Sequence, residues 1–243
     1  LWEQYNPEAT YLMVADVARG DGADFSVFHI VKLETMEVIG EYRGKPNLEE
    51  FATILDTTGR EFGSCLLVVE NNSLGISVLE KLQDREYPNL YYSVKGTHEY
   101  IDQIQAEGLN NSIAGFTTSS KTRPLIVAKM EEFIRNKLIT VYSSRLVDEF
   151  KTFIWNNNRA QAMRSYHDDL VMALAIGCWV RDTALATNQR DLEYRRAMMG
   201  SMMLKSKTFQ TQDPGTKVVQ QGLTQEQKEI KSSYKEFAWL FKG

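Results

Sequence analysis

Three apolar runs open the chain, Tyr11 to Ala18, Phe25 to Leu33 and Met36 to Gly44, rich in β-branched, aromatic and aliphatic residues and separated by Gly-, Asp- and Thr-containing segments. Runs of this kind divided by turn residues predict three antiparallel strands in a meander. Asn47, with Glu50 three residues on, reads as a capping box. Leu48, Phe51, Ile54 and Leu55 then recur at helical spacing up to an expected stop at Gly59. Cys65 to Val69 is continuously apolar, as a strand buried on both faces should be. A helix is predicted over Ser73 to Arg85 with Ile76, Leu79 and Leu82 inward, followed by a short strand from Leu90 to Val94.

Gly96 to Ser120 shows no periodicity and predicts an irregular insertion or surface loop. Helical spacing resumes over Thr122 to Leu138, with Pro124 in the first turn and Ile126, Met130, Phe133, Ile134 and Leu138 on one face. A strand at Thr140 to Tyr142, a helical or mixed segment from Leu146 to Trp155 and a strand at Ala160 to Met163 follow. The stretch from Asp168 to Thr187 then predicts a strongly apolar helix. Alternation of strands and helices makes this an α/β chain with a mixed central sheet. Residues 1–188 read as one domain and 189–243 as an appendage: a basic Met-containing stretch, a polar linker and a C-terminal docking helix capped at Thr224-x-x-Gln227.

Composition narrows the classes. The 243 residues are 43% hydrophobic and 25% charged, and no run approaches the roughly 18 apolar residues of a membrane-spanning helix, so no membrane partner is expected. Two cysteines, Cys65 and Cys178, leave no basis for a disulfide framework or a Cys-based zinc site. The net charge of −4 argues against a uniformly basic coat but permits a basic groove beside an acidic site. The chain opens on Leu1 rather than Met, and an upstream partner domain is expected.

Three carboxylate positions then matter. Asp16 ends the run Leu12 to Ala15, and Glu70 ends Leu66 to Val69. A turn could explain the first and a helix N-terminus the second. If the two strands are parallel neighbours, however, both acids emerge at the sheet edge where α/β sites form. The doublet Asp168-Asp169 opens the late apolar helix beside His167; helical periodicity does not separate its members, so one is expected to bind and the other to cap or support. Such a cluster would repel itself unless hard divalent cations neutralised it, Mg²⁺ or Mn²⁺ by ligand type. Two ions about 3.5–4 Å apart suit phosphodiester hydrolysis without a protein nucleophile. His29 and His98 are assigned ordinary structural roles.

The order strand-Asp, two meander strands, helix, strand-Glu and late Asp-headed helix resembles the RNase H-like nucleases. More narrowly, Val14-Ala15-Asp16-Val17-Ala18-Arg19-Gly20-Asp21-Gly22-Ala23-Asp24-Phe25-Ser26, Val69-Glu70-Asn71-Asn72, Lys121-Thr122-Arg123-Pro124 and His167-Asp168-Asp169 are similar to the nuclease domain of the large terminase subunit of tailed bacteriophages, above all the T-even type. The resemblance spans roughly residues 8 to 190. It implies an RNase H-like fold and a Mg²⁺- or Mn²⁺-dependent endonuclease, holding two ions, that cuts concatemeric viral double-stranded DNA during packaging. By position it implies Asp16 and Glu70 as metal-binding catalytic acids and Asp169 as the third, with Asp168 the competitor and Asp24 a supporting metal ligand. Arg19, Lys121 and Arg123 are the candidate phosphate contacts. It further implies an N-terminal packaging ATPase domain, a portal and a small terminase subunit as partners, in the cytoplasm of the infected host. No Gly-x-x-x-x-Gly-Lys-Ser/Thr loop occurs, so the motor is not in this sequence.

Other readings remain open on sequence grounds. A Holliday-junction resolvase or integrase would share the fold. An actin-like or sugar-kinase ATPase would use Asp16 to Ser26 as a phosphate loop. A docking module would carry the acids without using them.

Overall fold

In the computed structural model, which describes residues 1–20, 24–95, 100–101, 103–156 and 159–182, the opening runs form the expected meander. β1 (Tyr11–Asp16), β2 (Ser26–Lys32) and β3 (Glu37–Gly44) pair antiparallel, with a register shift between Ile30 and Val31. α1 (Leu48–Glu61) crosses to β4 (Leu66–Val69), which lies parallel to β1 with Ala15 opposite Val69. α2 (Ser73–Asp84) follows, and then β5 (Tyr92–Val94), β6 (Tyr100–Ile101), α3 (Gln103–Gly108) and β7 (Ser112–Ala114). Next come α4 (Thr122–Arg135), β8 (Thr140–Val141), α5 (Ser144–Thr152) and a hairpin of β9 (Phe153–Asn156) and β10 (Arg159–Ala162). The last helix among the described residues, α6, runs over 169–182. The central sheet has the order β4-β1-β2-β3-β8, parallel at β1/β4 and β3/β8, so the expected mixed α/β fold holds.

Period-two alternation divides the sheet residues between two cores. Leu12, Val14, Val27 and Val31 join Ile126, Met130 and Phe133 of α4 and the apolar residues of α6. Met13, Ala15, Phe28 and Ile30 join Phe51 and Leu55 of α1 and Val78, Leu79 and Leu82 of α2. Helices on both faces explain why the strands are continuously apolar. α6 rests close on β1: a Cβ on Gly177 would lie 3.3 Å from Val14 Cγ2. Among the described residues no helix is long and apolar enough to cross a membrane.

Several boundaries differ from expectation, each for a packing reason. α1 does not stop at Gly59, where the missing side chain makes room for the Tyr87 ring; the chain turns at Gly63, in the left-handed region at φ +71°. Ile76 of α2 points outward, and Gly75 and Val78 take the inner face with Leu79 and Leu82. On α4, Ile134 is exposed, and Leu138 lies beyond the helix end and is exposed too. The expected strand at Leu90 to Val94 is present as β5, and the expected irregular insertion supplies β6 and β7, two- and three-residue strands too short for a periodic signal, which pair with β5 in a small antiparallel sheet. The chain divides into two units, Leu1–Glu193 and Tyr194–Gly243, and every described residue lies in the first. The expected appendage at 189–243 therefore falls outside the described residues.

Candidate active site

Parallel pairing of β1 and β4 brings Asp16 and Glu70 to the same sheet edge. Glu70 N–H donates to Ala15 C=O (2.9 Å), continuing the ladder one residue past β4, and Asn71 N–H donates to Phe116 C=O (2.9 Å). Asn72 then caps α2, its side-chain oxygen accepting from Leu74 (3.1 Å) and Gly75 (2.8 Å) N–H groups. Gly75 is required here because a Cβ would stand 1.8 Å from the Glu70 carbonyl oxygen. Gly75→Ala is therefore expected to force α2 off the strand end, at a cost of about 2–4 kcal/mol. A thermal melt checks this, and an unchanged melting temperature would contradict it.

α6 delivers the third acid. Asp169 is its first residue and is half-buried, and Asp169 Oδ2 accepts from Phe25 N–H (3.1 Å). Asp16, Asp24, Glu70 and Asp169 line one cleft of about 490 Å³, with Arg19 on its rim. Ala18, just past β1, is tied to buried Ser26 at the start of β2, whose Oγ accepts from Ala18 N–H (3.1 Å) and donates to Ala18 C=O (3.2 Å).

The electrostatics match an anionic site. Desolvation pushes the Asp16 carboxyl well above its ordinary value; the charge of Glu70, a hydrogen bond shared with it and the charge of Asp169 add to the effect. Asp169 is raised in the same direction, chiefly by burial and further by the charges of Asp24 and Asp168. Like-charged carboxylates at one edge favour the protonated form until a cation joins them. A second group of possible ligands lies alongside: His167 Nδ1 is 3.7 Å from both Asp24 Oδ1 and Asp169 Oδ2, and the three ligand atoms lie within 4.8 Å of one another.

Arg123 separates the members of the Asp168-Asp169 doublet. Asp168 Oδ2 accepts from Arg123 Nη2 (2.6 Å), and Arg123 Nε donates to Ala160 C=O (2.9 Å), tying α4 to the β9-β10 hairpin. The Asp168 carboxylate is thus held by Arg123, which fits the supporting alternative of the expected division rather than the capping one. The capping acid is Glu149 of α5, whose Oε2 accepts from the N–H groups of Leu170 (2.9 Å) and Val171 (3.3 Å). Burial raises the Glu149 carboxyl to about 7. His29, fully buried, donates from Nε2 to Leu170 C=O (2.9 Å), a structural role as expected; His98 lies outside the described residues.

Of the candidate phosphate contacts, Arg19 is exposed at the acid cleft, Lys121 is exposed at the start of α4, and Arg123 is committed to Asp168. A second cleft of about 380 Å³ shares Glu70 with the first and is lined by Thr118, Ser119, Ser120, Arg123 and Arg159. Sequence reasoning missed His167, Glu149 and Phe25. Only His167 carried a signal, lying two residues from Asp169; Glu149 is twenty residues from the helix it caps, and Phe25 acts through its backbone.

No protein-family model matches the chain. In structure it is similar to the large terminase nuclease from thermophilic phage G20c with bound magnesium, at a TM-score of 0.54 and 19% identity, covering 72% of this chain and 84% of that one. The same phage's nuclease with bound cobalt gives 0.53 and 19%, with the same coverage. A further structure of that nuclease gives 0.53 and 18%, covering 71% and 83%. The chain thus shares the fold of these terminase nuclease domains, as the RNase H-like reading expected.

Proposed function

We propose that this chain is a divalent-metal-dependent endonuclease of the large-terminase type, cutting concatemeric viral double-stranded DNA during genome packaging. One observation carries the reading: Asp16, Glu70 and Asp169, from two parallel strand ends and a helix start, line a single cleft. The fold shared with phage terminase nucleases agrees with it, as does the fact that two of those neighbours bear bound magnesium and cobalt.

The donor set fits hard cations, because Asp16, Glu70 and Asp169 offer only oxygens, and the Asp16 and Asp169 carboxyl groups are held toward protonation by burial and by neighbouring charges. Asp16, Glu70 and Asp169 would hold the ions, with Asp24 and His167 grouped beside Asp169. Bound Mg²⁺ or Mn²⁺ would supply an activated water and neutralise charge on the phosphate and the leaving oxygen; two ions are proposed. The protein's own residues orient and hold. Phe25 N–H fixes one Asp169 oxygen, Asn72 holds the α2 start beside Glu70, and Arg19 and Lys121 offer charge to backbone phosphates. The second cleft, with Arg159 and the Ser119 and Ser120 hydroxyls, gives the strand a path past Glu70. An ATPase domain of the same protein, a portal and a small terminase subunit are the proposed partners, within the infected host cell.

The test is incubation of the purified chain with plasmid and linear duplex DNA. Cutting with Mg²⁺ or Mn²⁺, abolished by chelation, is the expected result; a folded chain inert over a range of both ions and of salt would overturn the proposal. Mn²⁺ is also expected to raise the melting temperature. A hundredfold excess over Kd contributes about 2.7 kcal/mol, and each kcal/mol corresponds to roughly 2–4 °C for a domain of this size. A melt unmoved by millimolar Mn²⁺ would contradict the metal site.

A further inference from the structure

At the start of α6, next to Asp169, lies a buried carboxylate that the proposed chemistry does not use. Glu149 is 6% exposed and sits on α5, yet both its bonded partners are backbone N–H groups at the start of α6. An ionisable group held this far from water is costly unless its partners compensate, and residues of ordinary packing surfaces are apolar. The first N–H groups of a helix need an acceptor, and a nearby residue supplies it in most helices. Here Asp168 sits at the capping position with a carboxylate of its own, but that carboxylate is held by Arg123. The α6 start is capped from another element instead.

A second route leads from Glu149 to the same place. Glu149 Oε1 lies 3.9 Å from Arg43 Nη2, and the Arg43 guanidinium stacks 4.0 Å over the Phe25 ring. Phe25 in turn donates its N–H to Asp169 and sets its ring edge-on to His167, with centroids 5.2 Å apart. Glu149 thus bonds the backbone that follows Asp169 and, through Arg43, lies one residue away from Phe25, whose N–H bonds the Asp169 carboxylate.

We infer that Glu149 is a positioning residue for DNA cutting, fixing the Asp169 carboxylate in the acid cleft by capping α6 and anchoring Arg43 against Phe25. The inference rests on the nuclease reading for its effect on rate, but its geometric half stands apart from that reading. Glu149 never reaches substrate; it acts through Asp169.

The experiment uses the full chain and four variants. Glu149→Ala removes the cap. Glu149→Asp keeps the charge but shortens its reach. Glu149→Gln loses the charge but keeps a side-chain oxygen able to accept both N–H bonds. Leu55→Ala, in the core beneath α1 and away from the cleft, reports what lost stability alone does. Glu149→Ala and Glu149→Asp are expected to lower kcat about ten-fold or more with KM for DNA within about two-fold, since small misplacements of a reacting group carry penalties of this size. Glu149→Gln should recover most of the rate, and Leu55→Ala should cut at the wild-type rate below its melting temperature. Crystal structures of the metal-free Glu149→Asp and Glu149→Gln proteins should show the Phe25 to Asp169 hydrogen bond broken in the first and kept in the second. Wild-type kcat in a folded Glu149→Asp protein, or an equal loss in Leu55→Ala, would overturn the inference, as would an unmoved Asp169 carboxylate. Should Glu149→Ala not fold, the Asp and Gln pair decides. Should the wild-type chain cut no DNA, the nuclease reading falls and the position of Asp169 still decides this one.

Discussion

Asp16→Asn is expected to lower DNA cutting by on the order of 10³-fold, the scale of losing a charge-stabilising group at a metal-assisted centre, while making the metal-free protein more stable. The two effects have one cause. Asp16 stands among Glu70 and Asp169 at the edge of a dry core, so desolvation, then the neighbouring charges, hold its carboxyl above the ordinary value of 3.8. For an acid whose folded pKa is raised, folding is penalised once the pH exceeds the unfolded value, and the penalty is complete above the folded one. Asparagine removes the penalty and the ligand together. The melting temperature of the variant should therefore exceed that of wild type at neutral pH without metal, with the gap closing as the pH falls into the ordinary carboxylate range. Added Mn²⁺ should reverse the order, because only wild type gains from it. A variant that cuts at the wild-type rate, or is less stable than wild type at neutral pH, would contradict this account of Asp16.

The second large effect separates the two members of the acid doublet. Asp169→Asn is expected to cost on the order of 10²–10³-fold in cutting, because Asp169 lines the cleft and faces Asp24, His167 and, by charge, Asp16. Asp168→Asn should retain cutting within about ten-fold, its loss arising only from small displacements of its neighbour. Its main effect is on folding. The Asp168 to Arg123 pair is partly buried and joins α4 to the α6 start, so removing one charge is expected to cost about 1–2 kcal/mol. Single-turnover cleavage and thermal melts of both variants check this. Reversal of the ranking would make Asp168 the ligand and leave Asp169 as support.

The framework was legible in sequence where physics is local. Continuously apolar runs ending in Asp16 and Glu70 read as buried strands because both faces of the sheet are covered, and the Asn47 to Glu50 capping box forms as written, with Glu50 N–H donating to Asn47 (2.9 Å) and Asn47 N–H to Glu50 (3.1 Å). Parallel pairing of β1 and β4 was a condition of the acid cluster rather than a consequence of any spacing, and only the fold supplies it. The doublet could not be separated along the chain because the helical neighbours of Asp168 (Val171, Met172, Ala175) and of Asp169 (Met172, Ala173, Ile176) are equally apolar. What distinguishes them is Arg123, forty-five residues away. Glu149 was invisible for the same reason: on an amphipathic helix an acid reads as solvent-facing, and its burial is visible only once α5 packs against the α6 start. Of the small β6-β5-β7 sheet only β5 was legible; β6 and β7, of two and three residues, span too little alternation to read.

The central claim is that Asp16, Glu70 and Asp169 act as one cation-holding centre, and diffraction at the manganese edge from crystals grown with Mn²⁺ tests it most directly. The account predicts anomalous peaks in contact with the Asp16 carboxylate and with Glu70 or Asp169. Well-ordered crystals in which manganese binds elsewhere, or leaves all three carboxylates untouched, would contradict it.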